Sequence, residues 1–86
     1  MMVKVATGVS VASDKISLVG VYEGACLRKR VKTLNEQGRF LNLTRGKKVK
    51  SVVLYEQGGM EYAIFSPLAC DTIIGKINEA SSNNVN

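Results

Sequence analysis

Histidine is absent from this sequence, and with it the commonest general base and the usual partner of a serine or cysteine nucleophile. Cysteine is scarce. Cys26 and Cys70 are too few for a disulfide framework, and no histidine is there to complete a four-ligand metal site with them. Both are read as small buried apolar side chains. The carboxylates Asp14, Glu23, Glu36, Glu56, Glu61, Asp71 and Glu79 are scattered, most of them beside Gly, Asn, Ser or Lys as turn and surface positions are. "RGKK" has the glycine and lysines of a phosphate loop but not the GxxxxGK[ST] spacing. An enzyme is therefore not expected, nor a cofactor, a metal or a small-molecule substrate. No apolar run approaches the ~20 residues that span a bilayer, and the opening "MMVKVATG" lacks the features of a secretory signal. A soluble cytoplasmic protein without a membrane partner is the expectation.

What the sequence does have is positive charge in one place. The chain of 86 residues, 45% of them hydrophobic, supports one domain with one small core. Its formal charge of +5 conceals an asymmetry. Residues 28–50 carry Arg28, Lys29, Arg30, Lys32, Arg39, Arg45, Lys47, Lys48 and Lys50 against Glu36 alone, while Lys4, Lys15 and Lys76 face the six remaining acids. Such a separation points to a polyanionic partner. A merely solvated surface is the competing reading, but interspersed signs serve that purpose better. The densest stretch is "NLTRGKKVKS", residues 42–51. Gly46 lets the chain turn tightly there, so that Arg45, Lys47, Lys48 and Lys50 project from one connection instead of alternating across a sheet.

Around that turn the pattern predicts an α+β fold: a small, mostly antiparallel sheet with one central amphipathic helix and a short C-terminal helix. Val3 to Tyr22 reads as two or three short strands with a turn near Ala12 to Asp14. In "KISLVGVY" the apolar residues do not alternate, so both faces are expected to be covered, most simply by a second subunit. Leu27, Val31 and Leu34 form one stripe ahead of Gly38, predicting a helix over Ala25–Gln37. Arg30 lies at the edge of that stripe. The far side carries Arg28, Lys29 and Lys32, either as the wet face of the helix or as further nucleic-acid contacts.

Val52–Tyr55 and Tyr62–Phe65 read as a hairpin across "EQGGME", ending at Pro67, and "LACDTIIGKI" as a terminal helix with Asp71 in its first turn. Residues 1–79 then make one domain, and 80–86 a disordered polar tail. Tyr22, Phe40, Tyr55, Tyr62 and Phe65 fall within the predicted strands and are read as core; none lies in the basic turn.

The stretch "EGACLRKRVKTLNEQGRFLNLTRGKKVKSVV", Glu23 through Val53, resembles the RemA-like family of bacterial extracellular matrix regulatory proteins. In that family a helix with a basic start leads through a glycine into a short strand, a "TYGRRTRAV"-like turn, a hairpin and a terminal helix containing "PET". Thr44, Gly46, Lys47, Lys48, Lys50 and Val52 stand in the corresponding places, with Thr72 in the closing segment. The resemblance spans residues 13–78. Here lysines replace the arginine pair, Arg45 the tyrosine and Cys70 the proline, and the hairpin loop is longer. The resemblance implies a small DNA-binding transcriptional regulator that assembles into rings, needs no cofactor and lays basic side chains of neighbouring subunits along double-stranded DNA at the nucleoid. It also implies a contact from Lys15, which takes the place of a basic residue early in the preceding strand.

The expected DNA contacts are thus Lys15, Arg45, Lys47, Lys48 and Lys50, with Arg28, Lys29 and Lys32 as possible additions. Arginine reads guanine bidentately whereas lysine acts mainly as a point charge, so backbone contact and DNA shape should outweigh base readout, with Arg45 the one direct reader. Two other classes compete. One is an RNA-binding module, which would be expected to interleave exposed aromatics with the cations. The other is a homo-oligomeric scaffold whose charge serves only solubility or an acidic protein partner.

Overall fold

The valine-rich start of the chain forms a hairpin of its own, β1 (Met2–Ala6) with β2 (Val9–Ala12), separate from the main sheet. The computed structural model describes residues 1–85, and side chains as far as Glu79. A 3-10 turn at Ser13–Lys15 leads into β3 (Ile16–Gly20), followed by α1 (Ala25–Glu36), β4 (Phe40–Asn42), β5 (Ser51–Gln57), β6 (Met60–Ser66) and α2 (Cys70–Val85). The second sheet has the order β3-β5-β6-β4. Its pairs are antiparallel except β4 with β6, which is parallel, so the architecture is α+β with a largely antiparallel sheet.

Alternation along β5 sorts the core into two layers. Val53 and Ile64 face Val3 and Val5 of β1 and Ile73 of α2, all buried. Val52, Leu54 and Ala63 face Val31 and Leu34 of α1 on the other side. The small hairpin and α2 thus cover one face of the sheet and α1 the other. The stripe read from the sequence is the packed face of α1, and Gln37 caps the helix. Gly38, at φ 74°, closes a Schellman arrangement in which its own N–H donates to Asn35 O (3.1 Å) and the Arg39 N–H to Leu34 O (2.8 Å). That stop turns the chain directly into β4.

Five features differ from the sequence reading. The β5–β6 strands run well beyond their apolar centres, because Gly58 and Gly59 (φ 62° and 78°) alone make the loop, with Gln57 opposite Met60. The mixed pattern of β3 arises from a register shift between Ile16 and Leu18, which puts Ile16 on the same face as Val19 although they are three residues apart. Cys26 is exposed and Cys70 half-buried, not core, because they occupy the first turns of α1 and α2 outside either apolar stripe. Tyr22 lies beyond the end of β3 rather than within it, and all five aromatics are only half-buried. The helix α2 continues to Val85, over positions assigned from composition to a polar tail; the side chains from position 80 and all of position 86 lie outside the described residues. No helix among the described residues is long and apolar enough to cross a membrane.

Candidate nucleic-acid interface

Because β4 and β5 flank β6 without pairing to each other, the connection between them must cross the end of β6. It is pinned there at both ends: the Leu43 N–H donates to Phe65 O and the Lys50 N–H to Ser66 O, each at 3.0 Å. Within it the Lys47 N–H donates to Thr44 O (3.0 Å), and the two central residues, Arg45 and Gly46, have φ of 53° and 84°, the pattern of a type I′ turn. Asn42 Oδ1 accepts from both the Thr44 N–H (3.1 Å) and Thr44 Oγ1 (2.6 Å), fixing the approach to the turn.

The base of this turn is polar and closed. The buried polar residues Thr44, Ser51 and Ser66 gather at that corner, and each is hydrogen-bonded. Ser51 Oγ donates to Leu68 O at 2.8 Å, while Ser66 Oγ donates to Val5 O and accepts from the Leu68 N–H at 3.0 Å. These bonds join β5, β6, β1 and the lead into α2 under the loop. Sequence reasoning passed over Asn42, Ser51 and Ser66; only the Asn-x-Thr spacing of a side-chain-stabilised turn marked the first of them.

On this base Arg45, Lys47, Lys48 and Lys50 are all exposed. None forms an ion pair among the described residues, where the only such pair is Arg30–Glu61. Lys48 and Lys50 border a shallow concavity of about 650 Å³ shared with Val21, Glu23 and Asp71, so the turn and the entrance to α1 lie at one end of the sheet. Arg28 belongs to the same end, its guanidinium 5.6 Å from the centroid of the Tyr22 ring. Lys29 and Lys32 are exposed beside it on α1.

Lys15 is elsewhere. It is exposed, but it precedes Ile16, which pairs with Tyr55, whereas the basic turn joins β5 at Ser51. Four strand residues at ~3.3 Å each already separate Ile16 from the point where the turn joins β5 by about 13 Å, so Lys15 lies toward the opposite end of the sheet. Within one chain the structure therefore brings the four turn cations together, sets Arg28 near them and leaves Lys15 apart.

Arg30 has a different task. Its Nε and Nη2 grip Glu61 Oε1 and Oε2 at 2.6 and 2.8 Å across to β6. The bidentate bond holds the Glu61 carboxyl below its ordinary pKa and raises that of the guanidinium. It also offsets the opposition of Glu56 and Glu61 across the hairpin. Cys70, where the family pattern has proline, directs its Sγ toward Lys50 O at 4.0 Å, and burial and the neighbouring Asp71 raise its thiol pKa.

A search of curated proteins finds no match to this chain. A family model described as RemA-like, extracellular matrix regulatory protein A-like, matches residues 2–77, taking in β1 and β2 ahead of the segment whose motifs carry the resemblance. The matched span runs through the whole sheet, α1, the basic turn and the packed start of α2, and on that extent the chain belongs to the RemA-like family.

Proposed function

We propose that this protein is a non-catalytic, cofactor-free transcriptional regulator that binds double-stranded DNA at the nucleoid as a ring-like homo-oligomer, using Arg45, Lys47, Lys48 and Lys50 on the phosphate backbone. One observation carries the reading: four exposed cations, without ionic partners among the described residues, stand on a turn whose every anchor is hydrogen-bonded. A backbone so held loses little freedom on meeting phosphate, and no ion pair among the described residues has to be broken first.

A single turn reaches two or three phosphates, too few for useful affinity at cellular salt. Repetition overcomes this, since copies held side by side act at high effective concentration. Self-association is supported by the two open sheet edges, β3 and β4, by Leu18 and Leu41 on them and by Val21 just past β3, each 40–53% exposed. In a ring, Lys15 of one copy can serve the same duplex as the turn of the next, which its remoteness from the turn within one chain does not hinder. Family membership is consistent with this reading.

The test is a Lys47→Ala/Lys48→Ala double variant, compared with the parent for native mass and for affinity toward duplex DNA and single-stranded RNA of equal length. The reading expects unchanged mass, duplex preference in the parent and at least tenfold weaker duplex binding in the variant. Duplex binding left unchanged in the variant would remove the turn from the interface, assembly without duplex binding in the parent would favour the scaffold, and a preference for RNA the RNA-binding module.

A further inference from the structure

A second concavity, of about 490 Å³, opens between α1 and the end of the sheet, and the basic turn does not contribute to it. Its floor is aromatic. Phe65 lies 4.7 Å, centroid to centroid, from both Tyr22 and Phe40, and the three rings are half-buried rather than sealed into the core. Its wall is cationic: Lys29, Lys32 and Arg28, whose guanidinium also lies 5.6 Å from the Tyr22 centroid, line it, with no carboxylate among the lining residues. Arg28 and Lys32 are one helical turn apart, as are Lys29 and Lys32, so like charges crowd one strip of α1 and no ion pair among the described residues relieves them. Asn35 completes the rim with an amide that both donates and accepts.

From this pairing of rings with cations that have no ionic partner among the described residues we infer that the cleft binds a free nucleoside phosphate, a purine nucleotide above all. A bare anion would leave the aromatic floor unused, and an apolar ligand would leave three cations facing it. A nucleotide satisfies both: its base lies against the rings, its phosphate meets Arg28, Lys29 and Lys32, and the Asn35 amide matches the hydrogen-bonding edge of the base. The volume falls in the range of ~300–1,000 Å³ typical of small-ligand sites. A purine offers more stacking surface than a pyrimidine. Intact duplex DNA does not fit the description, because its bases are already stacked and its phosphates form a ridge rather than a plug.

Calorimetric titration of the full chain with GMP, AMP, CMP, ribose 5-phosphate and a single-stranded trinucleotide tests this. Saturable binding of GMP or AMP is expected, with Kd of about 0.1–1 mM, and ribose 5-phosphate at least tenfold weaker. Lys29→Glu/Lys32→Glu, at exposed positions that leave the core intact, should weaken GMP at least tenfold, and Tyr22→Leu about fivefold. The Lys47→Ala/Lys48→Ala variant should keep parental GMP affinity, which separates this site from the proposed DNA contacts whatever becomes of them. The inference is overturned by no saturable purine-nucleotide binding, by ribose 5-phosphate binding as tightly as GMP, by indifference to the charge reversals, or by tighter binding of the trinucleotide, which would assign the cleft to a nucleic-acid strand.

Discussion

Arg45 is the residue at which the turn's geometry and its chemistry compete. A non-glycine residue at φ 53° is tolerated in a two-residue turn at some energetic cost, and Gly46 at 84° supplies the second positive φ without one. No atom lies within 4 Å of a Cβ built on Gly46, so Gly46→Ala meets no steric block and tests the dihedral alone. It should destabilise the fold by about 1 kcal/mol, read as a lower urea midpoint at unchanged m-value. The Arg30–Glu61 pair makes a prediction with a defined sign. Because the folded-state pKa of Glu61 is depressed, its stabilisation is present above the ordinary carboxylate pKa and is lost as pH falls through the folded value. Both side chains are partly solvated, so Glu61→Gln should cost only about 0.5–1 kcal/mol at pH 7 and progressively less in urea melts below pH 4. The turn cations were legible in the sequence because charge density and a glycine are local signals. The Arg30–Glu61 pair was not, since it joins positions 31 apart through a sheet whose strand order no local pattern reveals. The exposure of Cys26 escaped for a related reason: the general tendency of cysteine to be buried gives way to its position at the start of a helix.

Among the elements, α1 was the most readable, its stripe and its glycine stop both being short-range features that the packing then used unchanged. The β5–β6 hairpin was legible in kind but not in extent, since polar Gln57 and the exposed Met60 continue the strands without any apolar signal. The shift in β3 was invisible, because an irregular apolar pattern suits a bulge and a doubly covered strand equally well. So was the corner at Ser51 and Ser66, where serines mid-pattern gave no hint of burial. That corner carries a prediction. Ser66→Ala removes the partner of both Val5 O and the Leu68 N–H, two groups in a closed environment, and should cost about 2 kcal/mol in urea unfolding, with faster hydrogen exchange at the Leu68 amide. Ile73, fully buried and the link between α2 and β1, should lose about 2–4 kcal/mol on truncation to alanine, measured in the same way. Both changes loosen the platform of the basic turn without touching a cation, so DNA binding by the folded fraction should fall less than stability does.

Taken whole, the molecule divides its candidate contacts between two ends of the sheet. The basic turn and the start of α1 share one end of the sheet, and Lys15 lies at the other. The clustering followed from the sequence; the remoteness of Lys15 did not, because it depends on β3 running alongside β5 from Tyr55 toward Ser51. Lys15→Ala should therefore weaken duplex binding less than the double lysine variant does, and in the assembled form only, as a comparison of affinities at matched salt will read out. The claim at the centre of the account is that the turn touches phosphate, and counterion release measures this directly. For the assembled protein, log K for a duplex should fall linearly with log salt, and removing Lys47 and Lys48 should flatten the slope by about 1.8 for each turn engaged. A slope near zero in the parent, or one that the double variant leaves unaltered while still assembling, would contradict it.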